Sequence, residues 1–339
     1  MAMLDIFNSN AFRMTSLTDA LSLMDYKPQF LGGLGIFNPR PIRTTVAAVE
    51  SRGETLSLIQ TTERGAPPSS KTFGARTVRN LNTVRIKLSD RLMASELLDI
   101  RAFGSETELE AVAVEVSRRQ QELVNDIDLT WENMRLGAVQ GIVTDADGSV
   151  IVDYFSEFGI AQPAEIGFNL AGTADGALRP KIDAVTRLIR RASKGLVTPV
   201  DVIYALCGDA YWDEFINHVE IRNALKSSPQ QSLDLLTSKA FGTADLYGVR
   251  WVNYRGTDDN STVAVATDTV KFFPASSRVF EVAWAPGESI NAVGAPGQPF
   301  IGRVVPDKDR QEWVDIEVAS YPLYICKRPN ILQRARRGV

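Results

Sequence analysis

The sequence predicts an α+β fold in three unlike parts: an extended two-stranded loop, one long helix followed by a β-hairpin, and a mixed α/β second half. Three observations carry this. Residues 50–71, ESRGETLSLIQTTERGAPPSSK, are strand-like yet hold only Leu56, Leu58 and Ile59 as large apolar residues. From Ser105 onward apolar residues recur every three or four positions for about ten turns, the signature of an amphipathic helix. Beyond Gly172, helical and strand periods alternate in short pieces bounded by Gly and Pro.

At 339 residues, 44% hydrophobic and 23% charged, the chain is large enough to bury a core and to divide into domains. No stretch approaches the ~20 apolar residues needed to cross a bilayer, and MAMLDIFNSN lacks a basic region followed by an apolar one, so a cytoplasmic product is expected. Cys207 and Cys326 are far apart with no CxxC, which indicates neither a disulfide framework nor a zinc site. The net charge of −4 argues against a dedicated nucleic-acid wrapper. Its distribution is uneven: Arg40 to Arg91 holds ten basic residues against four acids, and Leu92 to Gln140 four against ten. Pairing within the chain, or two ordinary solvated faces, would account for that on composition alone.

Taken in order, the first segment offers a short helix near Leu17 to Met24 that runs out at Pro28. LGGLGIFNPRP reads as a bend, because its glycines fail the GxGxxG spacing and no strand precedes them. TTVAAVES, TLSLIQTT and TVRIKLSD are extended, the last alternating Val84, Ile86 and Leu88 with Arg85, Lys87 and Ser89. Joined through a polar tip, they make a protruding two-stranded loop. Such a hairpin is marginal alone and needs a surface to lie on. Ser105 and Glu108 form a capping box that opens a helix to about Gly137 or Gly141, some 54 Å at ~1.5 Å per residue. IVTDADGSVIVDY then reads as a hairpin around Asp147-Gly148; an EF-hand lacks its ligand spacing and terminal Glu.

In the second half, KIDAVTRLIRRASKG is a helix ending at Gly195, VDVIYALCG a buried strand, and DAYWDEFINHVEIRNAL one helix capped by Asp209. VRWVNY, TVAVAT, VFEVAWA and EWVDIEV are strand candidates, and the basic KRPNILQRARRGV reads as a solvated, partly ordered end. Little chemistry emerges. The single histidine, His218, precludes a His-rich metal centre, and there is no G-x-S-x-G, P-loop or HExxH. The densest acids lie along the long helix at surface spacing, where solvation or ionic partnering explains them better than acid–base catalysis.

The residues do resemble one family. LDIFNSNAF, SLTDAL, YKPQFLGGLGIF, TTVAAVESRGETLSLIQTTERGAPP and the acidic helix before a D-G hairpin are similar to the major capsid protein E family of tailed bacteriophages, the lambda-like group. The likeness is most specific over residues 4–68; in the second half it rests on element order and on SYPLYICKRPN. It implies the Hong Kong 97-type phage capsid fold: an N-terminal arm at 1–37, an extended β-loop at 38–91, and a peripheral domain with spine helix and β-hairpin at 92–179. A mixed α/β axial domain at 180–325 and a C-terminal tail at 326–339 complete it.

That resemblance implies a non-enzymatic shell subunit of the virion without a cofactor, made in the host bacterial cytoplasm. Its partners would be identical copies in hexamers and pentamers around double-stranded DNA held non-specifically, with scaffold, portal and decoration proteins left open and no membrane. The loop would lie on the neighbour's spine, with Arg52, Arg64, Arg76, Arg79, Arg85 and Lys87 meeting Glu108, Glu115, Glu122 and Asp126. An encapsulin-type compartment shell and a carboxylate-using α/β enzyme are the alternatives.

Overall fold

The structure, a computed structural model, describes residues 30–52, 76–96, 108–172, 174–226, 242–254 and 263–338. The arm helix expected at Leu17 to Met24, TLSLIQTT, the loop tip with Arg64, and Ser105 of the capping box lie outside them.

The architecture is built on helix α2, Glu108–Gln140, preceded by the short α1, Phe30–Gly33. Its 33 residues span about 50 Å. Val112, Val116, Ile127, Trp131, Met134 and Ala138 form the buried stripe that the spacing predicts, with Val124 buried where the spacing points to the half-buried Leu123, and buried Gln120 fills the gap in it. From Trp131 to Val139 nearly every residue is buried, so the helix passes from a surface into the interior. It stops at Gly141, whose φ of 91° favours glycine. Gly137 permits a close crossing, because a Cβ there would lie 2.7 Å from Val143 Cα.

Between α1 and α2 the chain forms β1 (Asn38–Pro41), β2 (Val46–Arg52), β3 (Arg76–Asn82) and β4 (Ile86–Met93). β2 and β3 form an antiparallel ribbon from Val46↔Asn82 to Arg52↔Arg76. This corrects the pairing read from sequence. TVRIKLSD is not the return strand of the loop; as β4 it pairs with β14 (Trp313–Ser320), which pairs in turn with β13 (Ile301–Pro306). The physical reason is matched alternation: Leu92, Val314 and Ile316 face α2 and pack with Val112 and Val116. β1 runs parallel to β12 (Phe280–Trp284), which pairs with β15 (Pro322–Cys326).

After α2 the chain makes the hairpin expected around Asp147-Gly148, β5 (Ile142–Thr144) and β6 (Val150–Asp153). Gly148 turns at φ 83°, and Asp147 Oδ1 accepts from Ser149 N–H at 2.8 Å. Asp153 then caps α3, Tyr154–Phe158.

The second half holds a six-stranded sheet in the order β7-β16-β11-β8-β10-β9. These strands are β7 (Ile166–Gly167), β8 (Ile203–Cys207), β9 (Thr243–Leu246), β10 (Val249–Asn253), β11 (Thr269–Pro274) and β16 (Gln333–Arg336). Helices α4 (Leu178–Ser193), α5 (Asp209–Asn217) and α6 (Val219–Lys226) accompany it. Aromatic packing fills its core, with the Phe215 and Trp251 rings stacked at 4.0 Å.

Four expectations are corrected here. DAYWDEFINHVEIRNAL is two helices, because His218 takes extended backbone and its Nδ1 accepts from Glu220 N–H at 3.3 Å, opening the second. The cap of the first is Gly208, not Asp209; a Cβ there would lie 2.3 Å from Ala266 O. TVAVAT is not a strand over its described residues; the strand is the following TVKFFP. The basic C-terminal segment is no solvated end either: β16 sits between β7 and β11, with Gln333 and Ala335 inward. Arg337 pairs with Glu214 and Asp268, and Lys327 with Glu281.

Replacing Gly137 by Ala forces β5 away from α2 and should cost about 1–3 kcal/mol, read as a lower urea midpoint. Val114→Ala on the exposed face, 64% accessible, should change it by under ~0.5 kcal/mol.

Candidate functional site

No reaction centre assembles among the described residues, and no group of three His, Cys, Asp or Glu there is placed to hold a metal. Both thiols are buried, and burial pushes Cys326 up to about 12 and Cys207 well above its ordinary value, so neither is a ready nucleophile. What the fold does build is a braced spine with a charged flank.

The brace is Glu132. Fully buried on α2, its carboxylate accepts from the Leu31 and Gly32 N–H groups at 2.8 and 3.2 Å and from Tyr254 Oη at 3.1 Å. Arg135, one turn on, adds an ion pair at 3.3 Å and lies against the Trp131 and Tyr324 rings. One side chain thus ties the exit of the N-terminal segment, the spine and β10's end together. Glu220 does likewise for the second half, accepting from Leu178 and Arg179 N–H at 2.8 and 3.0 Å and so capping α4 from α6. Asp128 is different: buried, with Oδ1 lacking any hydrogen-bond partner, its carboxyl is raised to about 7 by desolvation, and Arg135 offsets only part of that. The sequence reading missed all three acids. Their signal was positional, since Asp128 follows buried Val124 and Glu132 follows Asp128 by one turn each, where a solvated acid does not belong.

The expected contact residues separate into groups. Arg85 pairs with Glu288 at 3.1 Å and Lys87 with Glu317 at 2.9 Å, both within the chain. Arg79 lies over the Phe158 ring at 5.4 Å. Arg52 and Arg76 sit opposite each other at the far end of the β2–β3 ribbon, and Arg64 lies outside the described residues. On the spine, Glu108 is the first residue of α2. Glu115 is held by Arg118 and Arg119 at 2.7 and 2.8 Å, which drop its carboxyl to about 2, Arg118 foremost. Glu122 meets Arg118 at 2.5 Å on the exposed face, and Asp126 is exposed. Among the described side chains, Arg79, Arg85 and Lys87 make no ion pair with Glu115, Glu122 or Asp126 of the same chain. Arg119 instead reaches back to Asp90 at 2.8 Å and to Glu96.

This arrangement of ribbon, spine, hairpin and mixed second half is that of a viral shell protein. A prophage protein of Escherichia coli CFT073, described as a capsid protein, shares the fold at a TM-score of 0.57 with 13% identity, covering 96% of this chain and 99% of that one. The capsid structure of Cyanophage P-SCSP1u does so at 0.50 with 10% identity, covering 93% and 90%. The fold is the Hong Kong 97 type. The chain belongs to the phage major capsid protein E family, whose sequence profile matches residues 13–337. It is 24% identical to the major capsid protein of Salmonella phage Felix O1 (isolate Felix O1-VT1), over 98% of each chain. The protein is thus a shell-forming structural component of a phage virion, and no helix among its described residues is long and apolar enough to cross a membrane.

Two stability experiments probe the spine. Glu132→Ala strands Arg135 and two N–H groups and should cost about 3–5 kcal/mol in denaturant unfolding, with Glu132→Gln costing less. Asp128 has a folded pKa above its unfolded one, so its favourable contribution is full below about pH 4 and fades as pH rises through 7. Asp128→Asn should match the wild type near pH 4 and exceed it by a few kcal/mol near pH 8, followed by urea midpoints across that range.

Proposed function

We propose that identical copies of this chain close into pentamers and hexamers of an icosahedral head around double-stranded DNA, each laying its extended loop across the neighbour's spine. The observation that carries this is the β2–β3 ribbon, seven paired residues long, which among its described side chains buries only Ala47, Val49 and Leu81 and leaves Val78 54% exposed. A two-stranded ribbon with so little apolar cover gains stability from an outside surface. The division into arm 1–37, loop 38–91, peripheral domain 92–179, axial domain 180–325 and tail 326–339 belongs to the same reading. The packing of β14 on α2 favours a return of its segment to the peripheral side.

The contact would set Arg52, Arg64, Arg76 and Arg79 against Glu108, Glu122 and Asp126 of the next copy. Arg85 and Lys87 stand at its inner end, adding less because each already shares an acid; Glu115 is likewise engaged, and Glu122 shares Arg118 on its exposed face. A heterologous contact of this kind makes rings when its rotation closes. Exposed pairs are worth ~0–1 kcal/mol, so charge sets register while buried area and multivalency set strength. Assembly in the host cytoplasm, a structural rather than catalytic role, and packaged DNA held without sequence preference complete the reading.

Sedimentation and negative-stain microscopy of the expressed protein should show capsomers or megadalton particles. Glu122→Lys with Asp126→Lys should cut particle yield by about tenfold while moving the unfolding free energy by under ~0.5 kcal/mol. Undiminished particles from that variant would remove the spine from the contact.

A further inference from the structure

Helix α4 presents a surface that the shell reading leaves unused. Its inner face is Leu178, Ile182, Val185 and Ile189, all buried. On the opposite face Arg187 is followed three and four residues on by Arg190 and Arg191, and the C-cap Lys194 comes three residues after Arg191, all four exposed. None makes an ion pair or a side-chain hydrogen bond among the described residues. The one acid on that side, half-buried Asp183, lies a turn before Arg187 and pairs with none of them.

Several other arginines are neutralised where they stand. Arg40, Arg85, Arg91, Arg118, Arg119 and Arg250 each meet an acid within 3.3 Å. On α4 every close pair along the stripe is like-charged, an arrangement that costs helix stability. The negative end of the helix compensates cations in the last turn, Arg190 and Arg191, but that effect fades within one turn and does not reach Arg187. The stripe is also a poor protein interface: charged residues are depleted from interface cores, and the one apolar residue beside it is Leu188, 41% exposed. It does suit a row of phosphates. The guanidinium fork grips phosphate oxygens in pairs, and about 10 Å of helix lies alongside some six charges of a duplex spaced ~1.7 Å apart.

We propose that the Arg187, Arg190, Arg191, Lys194 face of α4 is a sequence-independent binding surface for the phosphate backbone of double-stranded DNA. The inference rests on the shell enclosing a DNA genome, and it assigns the contact to α4, away from the basic segment at 327–337, whose Lys327 and Arg337 are engaged by acids.

The test is fluorescence anisotropy of a 30-base-pair duplex of arbitrary sequence with the full-length protein between about 50 and 200 mM salt. Neutralising four phosphates gives a slope of log affinity against log salt near about −3.6. Arg187→Ala with Arg190→Ala and Arg191→Ala should reduce that slope by about 3 and weaken binding at least about tenfold at the low-salt end, while the triple Arg→Lys variant keeps the slope. No duplex binding by the wild type, or an unchanged slope in the alanine variant, overturns the proposal. Loss of particles in that variant with duplex binding intact makes the stripe a subunit contact and overturns it too. Particle formation by the wild type, scored separately by microscopy, judges the shell reading on its own.

Discussion

A carboxylate that keeps its charge in the interior of a protein needs donors around it, and Glu132 meets that demand with the Leu31 and Gly32 amides, Tyr254 and Arg135. Because the acceptor is on α2, the donors off that helix take their positions from the spine: α1 is docked by its own backbone amides, and Tyr254 fixes the end of β10. Hydrophobic packing supplies most of the energy here but little direction. The buried ionic node supplies direction, since the amides, the phenol and the guanidinium fit it in one arrangement only.

The same reasoning orders the charges along the chain. Among the described residues, charges of the basic and acidic blocks find partners on neighbouring strands or turns. Arg91 meets Asp315 directly across the β4–β14 register, and Lys87 reaches Glu317 on the diagonal. Arg118 and Arg119 satisfy Glu115 one turn away. What is left over after local pairing, on the ribbon, on the outer spine and on α4, is what a shell has to work with.

Much of this was legible in the residues. The spine, the Asp147-Gly148 hairpin, α4 and the alternation of β4 and β14 all follow from periodicity, because each is a local pattern with one solvent-facing side. The partner of β4 was not legible, since 230 positions separate Leu88 from Val318 and Lys87 from Glu317 on β14. Nor was the break at His218, where apolar spacing runs on through a backbone that turns. β16 was hidden by composition: four residues with two arginines look solvated, although Gln333 and Ala335 alternate inward as a strand requires. For the expected contact residues the sequence shows charge but not engagement: nothing in it says that Arg85 and Lys87 already share Glu288 and Glu317.

The position of β16 bears on how a head is kept free of defective parts. Sequentially late, it is nevertheless an inner rung of the six-stranded sheet, flanked by β7 and β11. A product cut short before Gln333 would lose no mere appendage; it would leave β7 stranded and one side of β11 bare. Ribosomal drop-off or proteolytic nibbling in that stretch therefore yields a misshapen building block instead of a slightly trimmed one, and such a block is poorly fitted for a place in a lattice of intact copies.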